Sequence, residues 1–278
     1  MSNCNSCPSK GKCGKSEDSC GIKNNEQNKI KHVIGVMSGK GGVGKSSMSV
    51  LLAKGLADKG YQVGIMDADI TGPSIPRLLG LEREKAYGTN DAIQPVIDKD
   101  GIKVMSLNFL MEDENQPVVW RGPIVGNAVQ QFWSDVIWGE LDVLLIDMPP
   151  GTGDVALTVL QNMPVNGVVM VSTPQPMVSM IVSKAINMCQ QVQIPVLGVI
   201  ENMSYIECPD CGKRIEMFQH KDTEDFLKKH DLALWAELPM TPSINRIYQD
   251  DDFDAATAEQ MKAYIQPAVE KLMETLHK

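Results

Sequence analysis

The chain has 278 residues, 43% of them hydrophobic and 22% charged, with a formal net charge of −9. That composition fits a folded globular protein with room for one large α/β domain or two small ones, and its acidity is a poor match for a phosphodiester backbone, so nucleic acid is excluded as a main partner. No apolar run reaches the roughly 18 residues that span a bilayer, and the opening MSNCNSCPSKGKC lacks the apolar core of a secretory leader, so a cytoplasmic protein with no membrane partner is expected.

Residues 1–31 form a tail rich in Ser, Asn, Lys, Gly and Cys, with Ile22 and Ile30 almost its only aliphatics. Such a segment cannot bury enough apolar surface to order itself, and a metal would have to hold it. From His32 onward short aliphatic runs read as buried strands: VIGVMS (33–38), YQVGIMD (61–67), IKVMSL (102–107), DVLLID (142–147), GVVMVST (167–173) and PVLGVIE (195–201). Helical stretches such as SSMSVLLAKGLADKG (46–60) and PIVGNAVQQFWSDVIWGEL (123–141) lie between them. Strands apolar on both faces, alternating with helices, predict an α/β fold with a doubly wound, mostly parallel sheet over residues 32–278. Near the end, Met261, Ile265, Val269, Leu272 and Leu276 share roughly one helical face. The opposite face mixes Glu270 and Glu274 with Lys271. That is not the basic face of a membrane-surface helix, so packing on the sheet is expected.

The first strand runs into SGKGGVGKSS, residues 38–47, in which Gly39 to Ser46 fit the phosphate-loop pattern. Glycines let successive backbone N–H groups point at phosphate oxygens, and the next helix offers its positive end to the same anion. Gly39, Lys40, Gly41, Gly42, Val43, Gly44, Lys45, Ser46 and Ser47 are therefore candidate nucleotide-binding residues. Lys45 would reach the β- and γ-phosphates, and the Ser46 hydroxyl would ligate Mg²⁺. Lys40 is one lysine more than such a loop needs, and from the outer edge it can reach outward or simply be solvated. Asp67 and Asp69, in MDADITGPSIP, stand where a strand delivers its carboxyl end to the ligand crevice. One can hold the metal's shell and the other can orient the attacking water. Asp147, in LLIDMPPGTGD, occupies the place of a Walker B carboxylate on Mg²⁺, and Gly151 and Gly153 give the following loop freedom to sense the γ-phosphate.

Seven cysteines stand in close groups apart from Cys189, whose setting AINMCQQV suggests a helical, half-buried, inert thiol. In a reducing compartment such grouping argues for metal rather than disulfides. YIECPDCGKRIEMF (205–218) presents Cys208 and Cys211 with CxxC spacing. Zinc or a four-iron cluster takes four ligands, so these two thiols are half a site, and spacing alone leaves zinc and iron–sulfur equally open. Cys4, Cys7, Cys13 and Cys20 supply four more thiols in the tail, where a 4Fe–4S cluster, zinc or nothing would be held.

GKGGVGKS with its second-position lysine resembles the deviant Walker A class of P-loop ATPases, the MinD/ParA and nitrogenase iron-protein group. DADITGPSIPRLLG, VVWRGPI (118–124), LLIDMPPGTGD and ENMSY with CPDCG resemble its Mrp/ApbC (Nbp-type) branch of iron–sulfur cluster carriers, over about residues 32–278. The resemblance implies a MinD-like fold in a homodimer that uses ATP and Mg²⁺. It implies that Lys40 contacts phosphates across the dimer, that Asp69 assists a slow hydrolysis, and that Asn202 lies near the adenine. Cys208 and Cys211 from two subunits would bridge a 4Fe–4S cluster, closing the half site, for transfer to recipient apo-proteins. Trp120 and Arg121 belong to a hallmark of the branch, with Arg121 expected at the switch loops or dimer face and Trp120 as readily structural. The tail resembles the ferredoxin-like N-terminus of eukaryotic cytosolic scaffold members, except that Cys20 lies downstream of the shared core rather than upstream. The competing expectation is a MinD-like positioning ATPase whose CxxC holds structural zinc. A nitrogenase-like electron donor fits less well, because its bridging cysteines do not form an adjacent CxxC.

Overall fold

The structure is a computed structural model and describes residues 24–89, 92–113, 120, 122–208, 210–216, 220–241 and 255–277. In chain order the first elements are β1 (Lys29–Ser38), α1 (Lys45–Asp58), β2 (Val63–Asp67), α2 (Ile75–Leu78), β3 (Gly88–Thr89), β4 (Ala92–Ile93), β5 (Val96–Ile97) and β6 (Lys103–Met105). There follow α3 (Gly122–Ser134), β7 (Glu140–Asp147), α4 (Asp154–Asn162), β8 (Gly167–Ser172), α5 (Pro176–Gln191) and β9 (Val196–Glu207). The chain ends with β10 (Arg214–Glu216), α6 (His220–His230), β11 (Leu234–Pro239) and α7 (Ala255–Leu276).

One sheet runs β10-β9-β8-β1-β7-β2-β6-β5, with β11 added to β9. Its middle is parallel, while β5 and β10 pair antiparallel with their neighbours. The six aliphatic runs all became strands because each is covered on both faces. On one side lie α1, α2 and α7, with Leu52, Ile75 and Val269 in the core. On the other lie α3, α4 and α5, with Val129, Val159 and Ile186. All five apolar residues expected on the last helix are buried in the first of these layers. Among the described residues no helix is long and apolar enough to cross a membrane.

Three features differ from the sequence reading. The helix expected over 123–141 ends at Ser134. Val136 and Trp138 are fully buried, and backbone bonds join Ile93 N–H to Asp135 and Ile137 N–H to Ile93, which leads the chain extended into β7. Cys189 is fully rather than half buried, its Sγ 3.8 Å from Met37 Sδ, and burial pushes its thiol up to about 11. The strand expected over 195–201 continues to Glu207 as β9.

β9 is the longest strand, and it is irregular. Its ladder to β8 ends at the Ser172–Glu201 pair. Its register to β11 then jumps from Glu201↔Glu237 to Tyr205↔Pro239, so β9 spends two residues more than its neighbour. Met203, inside this bulge, has φ 55°, a left-handed conformation that costs a non-glycine residue on the order of 1 kcal/mol. Earlier in the strand, Gly198 faces the Trp235 ring; a Cβ there would lie 2.1 Å from Trp235 Nε1 and 2.2 Å from Cε2. A ring locked in the core cannot swing aside as a flexible chain could. Gly198→Ala is therefore expected to destabilise the protein by about 1–3 kcal/mol through overpacking, as measured by urea unfolding. An unchanged denaturation midpoint would show that the ring has room to move.

Candidate functional site

The loop after β1 enters α1 through Gly44, at φ 83°. A side chain there would be strained, and its Cβ would sit 2.3 Å from Asn202 Nδ2. Glycine is needed on both counts. α1 starts with no side-chain cap and no acidic residue in its first turn, so its leading N–H groups and positive end face an open cavity. That cavity holds about 320 Å³ and is lined by the loop together with Asp69, Ser74, Arg77 and Pro150.

Parallel register puts Asp67 at the end of β2 directly beside Asp147 at the end of β7. Both carboxylates are fully buried. Lys45 Nζ donates to Asp147 Oδ2 at 2.7 Å, Ser46 Oγ donates to the same oxygen at 2.6 Å, and Ser49 Oγ donates to Oδ1 at 2.7 Å. Asp67 accepts from Ser106 Oγ at 3.1 Å and from the backbone N–H of Asp69 at 3.2 Å. Burial first, then the Asp147 charge, push the Asp67 carboxyl up to about 7, against the pull of Lys45. Asp69 is half-buried at the cavity wall, and burial raises it too. Two buried acids with a serine hydroxyl at 2.6 Å form an oxygen-rich donor set of the kind a hard divalent cation takes.

Lys40 also lines the cavity, with Nζ 2.6 Å from Gln175 Oε1 just ahead of α5. Asn202 lies fully buried behind the loop. Its Nδ2 donates to the Val43 carbonyl at 2.9 Å, while its Oδ1 has no hydrogen-bond partner among the described residues. Ser49, Ser106 and Arg77 escaped the sequence reading. Ser49 follows Lys45 by four residues, so helical spacing could have placed both on one face; Ser106 and Arg77 carry no local signal.

At the far end of β9 the chain makes a tight hairpin into β10. Cys208 N–H donates to the Lys213 carbonyl at 3.0 Å, and Gly212 N–H donates to the Cys208 carbonyl at 2.8 Å. Cys208 is half-buried and Cys211 exposed. The backbone N–H groups of Cys211 and Asp210, then the Cys211 thiol, hold the Cys208 thiol below its usual value, which favours the thiolate that binds metal. Among the described residues no third Cys, His, Asp or Glu gathers with them into a metal-holding group. Arg214 braces the hairpin: it bonds Glu237 at 2.8 Å and lies 3.9 Å over the Tyr205 ring. Trp120 is 42% exposed. Arg121, the expected tail cysteines Cys4, Cys7, Cys13 and Cys20, and most of segment 114–121 fall outside the described residues.

The raised Asp67 acidity fixes a pH dependence. The folded group titrates near 7 and the unfolded one near 3.8. The neutral acid's contribution to stability is therefore complete below about pH 4 and is lost as pH rises through about 7. Asp67→Asn removes that loss, so the drop in unfolding free energy between pH 5 and pH 8 is expected to shrink in the nucleotide-free variant. Equal drops in wild type and variant, measured by chemical denaturation, would show that Asp67 ionises freely.

Residues 29–277 match the ParA family in its description as NUBPL iron-transfer P-loop NTPase. The iron-sulfur cluster carrier protein of Clostridium perfringens is 45% identical over 273 residues, spanning 93% of this chain and 96% of that one. The protein of the same name from Methanocaldococcus jannaschii is 40% identical, spanning 97% and 96%. Among solved structures, the nucleotide-binding protein of Archaeoglobus fulgidus in complex with ADP, with cobalt found by PIXE, superposes with a TM-score of 0.71 at 41% identity, covering 83% of this chain and 91% of that one. MinD of Aquifex aeolicus, in complex with MinC, shares the fold at 21% identity and a TM-score of 0.61. The chain therefore belongs to the ParA-type family of iron-transfer P-loop NTPases.

Proposed function

We propose that the chain carries a 4Fe–4S cluster held by Cys208 and Cys211 of two copies, and delivers it to apo-proteins in the cytoplasm under control of ATP. The observation that supports this most is the pairing, in one chain of this family, of a phosphate-loop cavity with a hairpin offering two thiols and no third ligand among the described residues. A two-fold axis beside the hairpin turns two thiols into four.

The nucleotide site fits the reading. Lys45 leaves Asp147 for the β- and γ-phosphates, and the leading N–H groups of α1 receive the same anion. Ser46, Asp147 and Asp67 would hold Mg²⁺, which supplies charge neutralisation on the phosphates. Asp69, at the cavity wall, orients the attacking water. Lys40 serves the phosphates of the facing subunit, and the Asn202 Oδ1 left without a donor suits an adenine amino group. Hydrolysis is slow, a timer for cluster release. The tail cysteines Cys4, Cys7, Cys13 and Cys20 hold a second cluster.

Protein purified without oxygen is expected to be brown and to contain iron and acid-labile sulfide in equal amounts. Replacing Cys208 and Cys211 by Ala removes the bridging share and abolishes activation of an apo-enzyme. Replacing the four tail cysteines leaves that share in place. Zinc without iron in oxygen-free preparations would replace this reading with a zinc-stabilised regulatory ATPase. Lys45→Ala is expected to weaken nucleotide binding by about 10–100-fold, the worth of a charge-assisted hydrogen bond, in a titration with a fluorescent ADP analogue. Unchanged affinity would exclude Lys45 from the phosphate site.

A further inference from the structure

Resting on that reading, we infer that Asn202 and the β9 bulge at Met203 couple the phosphate loop to the cysteine hairpin, with Asn202 as the positioning residue through which loop movement reaches the two thiols.

The contact at the loop is specific. Asn202 is fully buried and spends its Nδ2 on the Val43 carbonyl at 2.9 Å, while its Oδ1 has no hydrogen-bond partner among the described residues. A buried amide left half-satisfied is costly, so the Nδ2 bond and the packing around it must hold the side chain against the loop. The loop is shaped around it, since any Cβ on residue 44 would collide with Nδ2 at 2.3 Å.

Between this contact and the hairpin the strand has one joint. Residues up to Glu201 are locked between β8 and β11. Tyr205 to Glu207 are locked to β10, and Met240 N–H donates to the Tyr205 carbonyl at 2.7 Å. Residues 202, 203 and 204 take part in no ladder pair among the described residues. Met203 at φ 55° marks that gap as a strained bulge, and strain of this kind clusters at ligand clamps and switch regions. Beyond the joint the strand end is stiff. Arg214 clamps it to Glu237 at 2.8 Å, Tyr264 Oη donates to Glu207 at 2.6 Å, and the Cys208 backbone is bonded at both its N–H and its carbonyl. From Asn202 to Cys208 is about 20 Å of chain. Phosphates that draw the loop N–H groups inward shift the Val43 carbonyl. The Asn202 amide follows, the joint yields, and the braced hairpin is displaced as a unit.

The test uses the full chain, chelator-treated and kept free of oxygen. Alkylation of Cys208 and Cys211 by iodoacetamide is timed by peptide mass spectrometry, with and without saturating Mg²⁺-ADP, and saturation is verified with a fluorescent ADP analogue. In wild type the nucleotide is expected to change the rate about fivefold, the lower end of ordinary site-to-site coupling. Asn202→Ala, which cuts the contact, and Met203→Gly, which relieves the strain and lets the joint flex, both bring the ratio close to one. Should Asn202→Ala fail to bind nucleotide, Met203→Gly decides. Equal wild-type rates in both states overturn the coupling. So does a wild-type ratio in the variants at saturation, because the thiols would then be shielded by a second copy alone. Iron and sulfide loading is scored separately. Normal loading with a ratio of one removes the coupling and leaves the carrier reading; a fivefold ratio without loading does the reverse.

Discussion

Two carboxylates and one ammonium share a nearly dry site at the carboxyl ends of β2 and β7, and the rest of the site is arranged around them. Parallel register leaves Asp67 and Asp147 side by side, and Lys45 reaches across from α1 to one of them. Taking such charges out of water costs several kcal/mol per ion, and attraction offsets this only with good geometry and further hydrogen bonds. Ser46, Ser49 and Ser106 supply those bonds. The second acid has no lysine of its own and stays neutral to about pH 7. The protein's own groups leave the site short of positive charge, and this shortage suits a cation that carries its own phosphate ligands.

The same ends of the strands connect this site to the hairpin. β8, β1, β7 and β2 all deliver their carboxyl ends to the cavity side of the sheet, and β9 does so as well but continues well past β8. The overrun leads into the cysteine hairpin, where Cys208 is half-buried and Cys211 exposed. A hairpin at the surface draws little rigidity from a core, so its stiffness comes from the Arg214 brace and from the bond that Tyr264 of α7 donates to Glu207. Burial stabilises the phosphate-loop end of the strand, and polar side chains stabilise the hairpin end.

Much of this could be read from the residues. The six inner strands were legible because a strand covered on both faces must be apolar throughout, and the phosphate loop because only glycine satisfies its backbone. Asp67 and Asp147 were legible by position, at the ends of such strands. The parts that stayed hidden depend on partners distant in sequence. β10 is three exposed residues, Arg-Ile-Glu, that form a strand only because the hairpin returns them to β9. Helix α3 stops early because Ile93, 41 residues before Ser134, claims the backbone of Asp135 and Ile137. The Met203 bulge arises from a mismatch in length between β9 and β11, and no local pattern encodes a mismatch.

The raised pKa of Asp67 reaches beyond folding stability. A divalent cation seated on the Asp67 carboxylate would displace its proton, so filling the cavity at neutral pH would release hydrogen ion into the surroundings. Acidification would then favour the nucleotide-free form and tie occupancy of the nucleotide site to the acidity around it.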